Sequence, residues 1–144
     1  MGGFENTNMP TWLILALLTL ALWGVWGIFP KLATNYLSPT SVMVYEGIGH
    51  IAVVIGVLAY LGFRPEVQAK GITFAILAGL VGTVGSLAFL FALSRGKASV
   101  VVPLTALYPV VTIALALLIL REPITWTQGA GIFFALVALL LFSL

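Results

Sequence analysis

Apolar residues in this chain are gathered into five long runs, and this feature constrains the fold more than any other. The runs cover about residues 12–29, 38–62, 72–93, 98–120 and 125–144, and nearly all of the charged residues lie between them. A helix that crosses a bilayer takes about 20 predominantly apolar residues. The sequence therefore predicts an all-α membrane protein, a bundle of five transmembrane helices whose two termini lie on opposite sides of the membrane.

The composition excludes an ordinary soluble domain. Only 7% of the 144 residues are charged and 62% are apolar, whereas soluble domains carry about 25% charged residues. Residues 1–11 are interpreted as a short polar tail and residues 12–144 as a single membrane domain, because no polar stretch is long enough for a second one. The tail has no basic region and no Ala-x-Ala site follows it, so we expect a retained first helix. We expect a multi-pass protein of the cell's inner (plasma) membrane, in contact with lipid.

Few side chains could carry catalysis or hold a metal. Cysteine and aspartate are absent, histidine occurs once, and the four glutamates are scattered. Because no cluster has the spacing of a metal site or a catalytic triad, we expect no enzymatic activity, no metal and no cofactor. The six basic residues stand singly or in pairs between the apolar runs. This distribution is typical of helix-end anchors, and we expect no nucleic acid partner.

The basic residues are also divided evenly between the two membrane sides. If side A is the side of the N-terminus, its loops hold Arg64, Lys70 and Arg121, and the side-B loops hold Lys31, Arg95 and Lys97. Orientation follows the Lys/Arg asymmetry of short loops, so this tie predicts insertion in both orientations. The alternative is one fixed orientation, set by the N-terminal amine or by unequal weights of the loops.

The fourth run contains two prolines, Pro103 and Pro109, inside an otherwise apolar helix. Each removes one backbone hydrogen bond, which frees the carbonyl groups of Ser99 and Thr105. We predict a bend between the two prolines that serves as a hinge; a plain kink without a function is the alternative. The polar side chains of the same stretch share one face at spacings i, i+3 and i+7 and are candidate substrate-binding residues: Thr105, Tyr108 and Thr112.

Aromatic and ionisable residues supply the other candidates. Trp23, Trp26 and Tyr45 are interpreted as further substrate-binding residues. Glu46 and His50 lie about 10 and 16 Å beyond the start of the second helix, one turn apart on one face. A charge at such depth costs about 2.5–3.5 kcal/mol and usually marks a functional pathway. We predict that the pair couples transport to protons; the structural alternative is that Glu46 only bonds His50, Lys31 or a freed backbone carbonyl.

Small residues recur at four-residue spacing on the third and fifth runs. They are Ala75/Gly79, Ala78/Gly82/Ser86 and Gly131/Ala135. Such faces allow helix backbones to approach closely. They pack either within one subunit or at the contact between two subunits of a dimer.

Three motifs together resemble the EamA-type repeat of the drug/metabolite transporter superfamily. They are the stretch from Leu22 to Lys31 (LWGVWGIFPK), the Pro and Tyr pattern of residues 103–109 (PLTALYP), and the Leu-x-Glu-Pro turn at 120–123 followed by Gly129-Ala130-Gly131. The resemblance covers residues 12–144. It implies a domain of five helices that is one half of an inverted-repeat transporter, because family members usually carry two such repeats in one chain. The pair Tyr45-Glu46 departs from the family pattern, in which a basic residue is common in the second helix.

The resemblance and the residues together predict a secondary transporter of a small organic metabolite or drug-like solute. We expect it to work by alternating access as an antiparallel homodimer, with proton coupling as an open part of the hypothesis. The alternative is a non-transporting membrane subunit or a lipid-carrier flippase component that acts with a partner protein. A heterodimer with a sister chain would use the same mechanism, and a membrane-embedded enzyme ranks last.

Overall fold

The structure is a computed structural model that describes residues 10–121 and 123–143, without the side chains of residues 139, 142 and 143. Residues 1–9, which make up most of the predicted tail, lie outside the described residues. The helices are α1 (Thr11–Trp26), α2 (Ile28–Thr34), α3 (Pro39–Tyr60), α4 (Ala69–Arg95), α5 (Ala98–Thr105), α6 (Tyr108–Leu115), a π-helical turn (Ala116–Leu120) and α7 (Trp126–Ser143). The described part of the chain has no strand.

These helices form about five membrane crossings. Four apolar helical stretches are long enough to span a bilayer, at residues 11–34, 39–60, 69–95 and 98–120, and a shorter apolar helix covers Trp126–Ala138 within α7. The first and fourth crossings each consist of more than one helix. The prediction of an all-α membrane bundle is confirmed.

The first crossing is broken at Gly27 and continues further than the sequence indicates. We expected its helix to end at Phe29, before Pro30, but α2 runs on to Thr34. The reason is that Pro30 is the third residue of a helix that starts anew at Ile28, and proline is tolerated in the first turn, where its missing N–H has no intrahelical partner. Gly27 and Pro30 are both buried.

Two helix starts have side-chain caps of kinds that are recognisable in the sequence, a serine before Pro39 and the Thr-x-x-Gln spacing of residues 125–128. The Oγ of Ser38 accepts a hydrogen bond from the N–H of Ser41 at 3.3 Å, with proline in the first turn of α3. Before α7, the N–H of Thr125 donates to Oε1 of Gln128 at 2.9 Å, and the N–H of Gln128 donates to Oγ1 of Thr125 at 3.3 Å. Each cap satisfies backbone donors that the first helical turn leaves unpaired.

The fourth crossing is interrupted between its two prolines. Helix α5 ends at Thr105 and α6 begins at Tyr108, so Ala106 and Leu107 form a break. Across this break the N–H of Leu107 makes a long hydrogen bond, of 3.5 Å, to the carbonyl oxygen of Leu104. The crossing closes with the π-helical turn and with Arg121 in the left-handed conformation, at φ 56°.

The described side chains form one buried cluster, at the side-B end of the bundle. This side-B cluster joins the end of α2, the start of α3, the end of α4 and the start of α5: Pro30, Val42, Leu90, Leu93 and Val101. Toward side A most large apolar side chains of the same helices are exposed, as expected where lipid takes the place of water. Packing within the chain is therefore concentrated at one membrane face.

Candidate functional site

A cavity of about 230 Å³ lies between the first crossing and α3, beside the side-B cluster. We call it the Glu46 cavity. Its walls come from the end of α1, from α2 and the turn after it, and from the first turns of α3: Trp26, Phe29, Pro30, Ala33, Leu37, Val42, Tyr45 and Glu46. Three of the sequence candidates, Trp26, Tyr45 and Glu46, therefore share one cavity.

Helix geometry explains how these residues meet. Val42, Tyr45 and Glu46 are spaced at i, i+3 and i+4, so they occupy one face of α3. Trp26 is the last residue of α1, directly before the break at Gly27. The indole of Trp26 stacks on the ring of Phe89 in α4, with 5.6 Å between centroids and 22° between planes. This contact fixes the indole against a third helix.

The carboxylate of Glu46 is partly buried and has no hydrogen bond or ion pair with any residue in the described ranges. His50, one turn further along α3, interacts with it electrostatically. The Nδ1 of His50 lies 2.8 Å from the backbone carbonyl oxygen of Glu46, and because a carbonyl only accepts, Nδ1 carries the proton. The histidine ring is therefore held by the backbone and not by the carboxylate.

Lys31 does not pair with Glu46. Its Nζ donates to the carbonyl oxygen of Leu93 at 2.7 Å and to that of Gly96 at 3.0 Å. These carbonyls lie at the end of α4, where backbone acceptors lack intrahelical partners and carry partial negative charge. Of the structural alternatives considered for Glu46, the bond to Lys31 is absent.

The remaining candidates lie outside the Glu46 cavity. Trp23 packs against Tyr108 of α6, with 6.4 Å between ring centroids. The Oγ1 of Thr105 donates to the carbonyl oxygens of Val101 and Val102 at 2.9 and 3.0 Å. The Oγ1 of Thr112 donates to the carbonyl oxygen of Tyr108 at 3.3 Å. Both threonine hydroxyl protons are thus used within their own crossing, and the break at 106–107 separates the two threonines.

A second, apolar cavity of about 490 Å³ lies between the fourth crossing and α7. Its wall includes Pro109, Gln128, Gly131 and Ala135. In the sequence, Gly131 and Ala135 were recognised only as a packing face. Sequence reasoning missed this cavity, and it missed Phe29 and Leu37 in the wall of the Glu46 cavity. In the sequence only Pro30 gave a signal for these two residues, because a proline marks a place where a helix can end and where nearby side chains can meet new neighbours.

The small-residue face of α4 is open within the chain. A Cβ atom added at Gly79 or Gly82 would meet no atom within 4 Å, and the same holds for Gly131 on α7. No described residue packs closely against these positions. Their use at a contact between two subunits stays a prediction.

Broken apolar helices around a carboxylate that no described residue bonds are typical of one class, the multi-pass membrane proteins of transporter type. Residues 10–144 match the EamA-like transporter family, and the chain belongs to that family. An uncharacterized protein of Methanocaldococcus jannaschii is 35% identical over 136 residues, which cover 94% of this chain and 98% of that relative. No solved structure matches the chain.

Proposed function

We propose that this protein is a secondary transporter that moves a small organic solute across the cell's inner (plasma) membrane. It works by alternating access as an antiparallel homodimer, and Glu46 with His50 couples the movement to protons. The observation that carries the proposal is the Glu46 cavity, which contains a carboxylate without a hydrogen bond or ion pair among the described residues and lies at the junction of a broken helix.

Depth in the membrane supports a functional role for this carboxylate. Glu46 is the eighth residue of α3, about 10 Å from the helix start at a rise of ~1.5 Å per residue. Ionisable groups at such depth are costly and face a partner or a wet cavity. Because neither Lys31 nor a described backbone donor bonds to Glu46, a proton or a solute that occupies the site would offset this cost.

Few other groups compete for the proton. On α3 the ionisable neighbours are Tyr45 and His50, and on α2 the amine of Lys31 is held by α4. From Gly71 to Ser94, α4 contributes no ionisable side chain. Exchange of a proton for solute therefore involves Glu46, with His50 as the nearest group that could pass the proton on.

The homodimer is proposed because inverted-repeat transporters use two bundles of opposite orientation. The three-to-three division of basic residues allows both orientations. The open glycine face of α4 offers a surface for close helix contact. Two copies of one chain would then form the pair that family members usually encode in a single chain.

Purified protein in liposomes tests the proposal. We expect solute flux that a pH gradient accelerates, and we expect Glu46→Gln to abolish the acceleration, because the amide keeps the shape but cannot titrate. Glu66→Gln, the same change in the exposed loop before α4, is the matched control and should leave the flux unchanged. Absence of flux across a broad solute panel would favour a non-transporting subunit or a flippase component.

A further inference from the structure

The wall of the Glu46 cavity has the chemistry of a cation site. The carboxylate of Glu46 is negative, and Trp26 and Tyr45, which also line the cavity, are residues whose aromatic rings attract cations. Among the described residues that line the cavity, none is basic. The remaining wall is apolar, so a bound charge would be only weakly screened.

Lys31, the basic residue that adjoins the cavity wall in the sequence, is bonded elsewhere. Lys31 follows Pro30 of the cavity wall by one residue, yet its Nζ is bonded to the carbonyl oxygens of Leu93 and Gly96. Because this lysine caps α4, it does not neutralise the carboxylate, and His50, which interacts with Glu46 electrostatically, is bonded to the backbone and lies outside the cavity wall. Charge complementarity then calls for a positive ligand.

The cavity is open on one side, and its volume is about 230 Å³. This space accommodates a small charged group such as a quaternary ammonium ion. Phe29, Leu37 and Val42 provide apolar surface for methyl groups.

We infer that the Glu46 cavity binds a small organic cation with an apolar body. The inference rests on the proposed function, because it names the class of solute that the transporter takes. Attraction to the carboxylate and to the ring faces holds the positive head, and the apolar wall covers the methyl groups. A quaternary ammonium ion needs no hydrogen bond, so these two attractions are sufficient for its binding.

Choline and its neutral isostere 3,3-dimethylbutan-1-ol are suitable probes, because they have the same shape and differ in charge. Calorimetry on the full-length protein in detergent should show choline binding at least about tenfold more tightly than the isostere. Glu46→Gln should weaken choline binding about tenfold or more, and Trp26→Leu several-fold, with Trp26→Phe restoring part of the loss. Glu66→Gln, matched to Glu46→Gln, should bind choline as the unaltered protein does.

Thermal unfolding of each variant in the same detergent separates a lost site from a lost fold. Equal binding of choline and its isostere would overturn the inference, and so would choline binding that survives Glu46→Gln in a folded protein. Liposome flux of other solutes without choline binding would leave the transporter proposal standing and remove the cation site. Glu46-dependent choline binding without any flux would leave the cation site standing and remove the transporter proposal.

Discussion

The ammonium group of Lys31 lies 2.7 Å from the carbonyl oxygen of Leu93, although the two residues are 62 positions apart in the sequence. The same group reaches the carbonyl oxygen of Gly96 at 3.0 Å. A side chain of α2 thus caps the last turn of α4, where a positive charge also complements the helix dipole. The bond ties the first crossing to the third at side B.

Removing this cap should loosen the side-B end. We expect Lys31→Met to lower the free energy of unfolding by about 2 kcal/mol, because charge-assisted hydrogen bonds are lost and carbonyl groups stay unpaired. Thermal unfolding in detergent measures the loss. Lys97→Met makes the same change on an exposed side chain one residue beyond Gly96; an equal loss in both variants would contradict a specific role for Lys31.

Gly96, also at the side-B end, is a position where the surrounding atoms leave little room for a side chain. A Cβ atom here would lie 2.7 Å from Cγ2 of Val101 and 3.2 Å from the carbonyl oxygen of Ala92. Because Val101 is buried and stiff, we expect Gly96→Ala to destabilise the protein by about 1–3 kcal/mol.

The additional change Val101→Ala should offset part of this loss, which a double-mutant cycle in the unfolding assay will measure. Gly56→Ala in α3 is the control, since a Cβ there meets no atom within 4 Å, and it should be neutral or stabilising by up to about 1 kcal/mol. Strict additivity of Gly96→Ala and Val101→Ala would show that the two side chains do not clash.

The sequence was sufficient to predict the crossings and the helix caps. Apolar run length and the Ser38 and Thr125 side chains are local signals, and local signals determine where a helix can begin. The break at Gly27 was not predicted, because Pro30 was taken as a helix end when it is also compatible with a first turn.

The site was only partly predictable for a different reason. Glu46 and Tyr45 were recognisable as polar residues in an apolar helix, but their meeting with Trp26 depends on how α1 and α3 pack. Likewise, Lys31 looked like a helix-end anchor, and its bonds to α4 follow from tertiary structure that no spacing encodes. Whether these residues act in transport stays a prediction.

Replacing both prolines of the fourth crossing should test its break. In helix interiors proline is about 3 kcal/mol less favourable than alanine, so Pro103→Ala with Pro109→Ala should favour a continuous helix through Ala106 and Leu107. We expect greater thermal stability and slower liposome flux. Hydrogen exchange at Leu107 should slow as its amide gains a regular partner. Flux at the unaltered rate, with that amide protected, would contradict a hinge.

Single basic residues should decide the orientation. Glu66→Lys adds a positive charge to a side-A loop, and Tyr36→Lys adds one to an exposed side-B loop. Because the loops are otherwise balanced, we expect the two variants to insert in opposite orientations. Labelling of a cysteine introduced at each terminus measures this, since the chain has no cysteine of its own.

The orientation variants also test the antiparallel homodimer. Each variant alone should lack flux, and the two expressed together should restore it, because only the mixture contains both orientations. Full flux from either variant alone would rule out a need for opposite orientations.

The side-B cluster makes one end of the chain more densely packed than the other. In an antiparallel pair each membrane face would receive one dense end and one loosely packed end, so no face is closed by the dense ends of both copies at once. Because the Glu46 cavity lies beside the side-B cluster, each face would also have one such cavity.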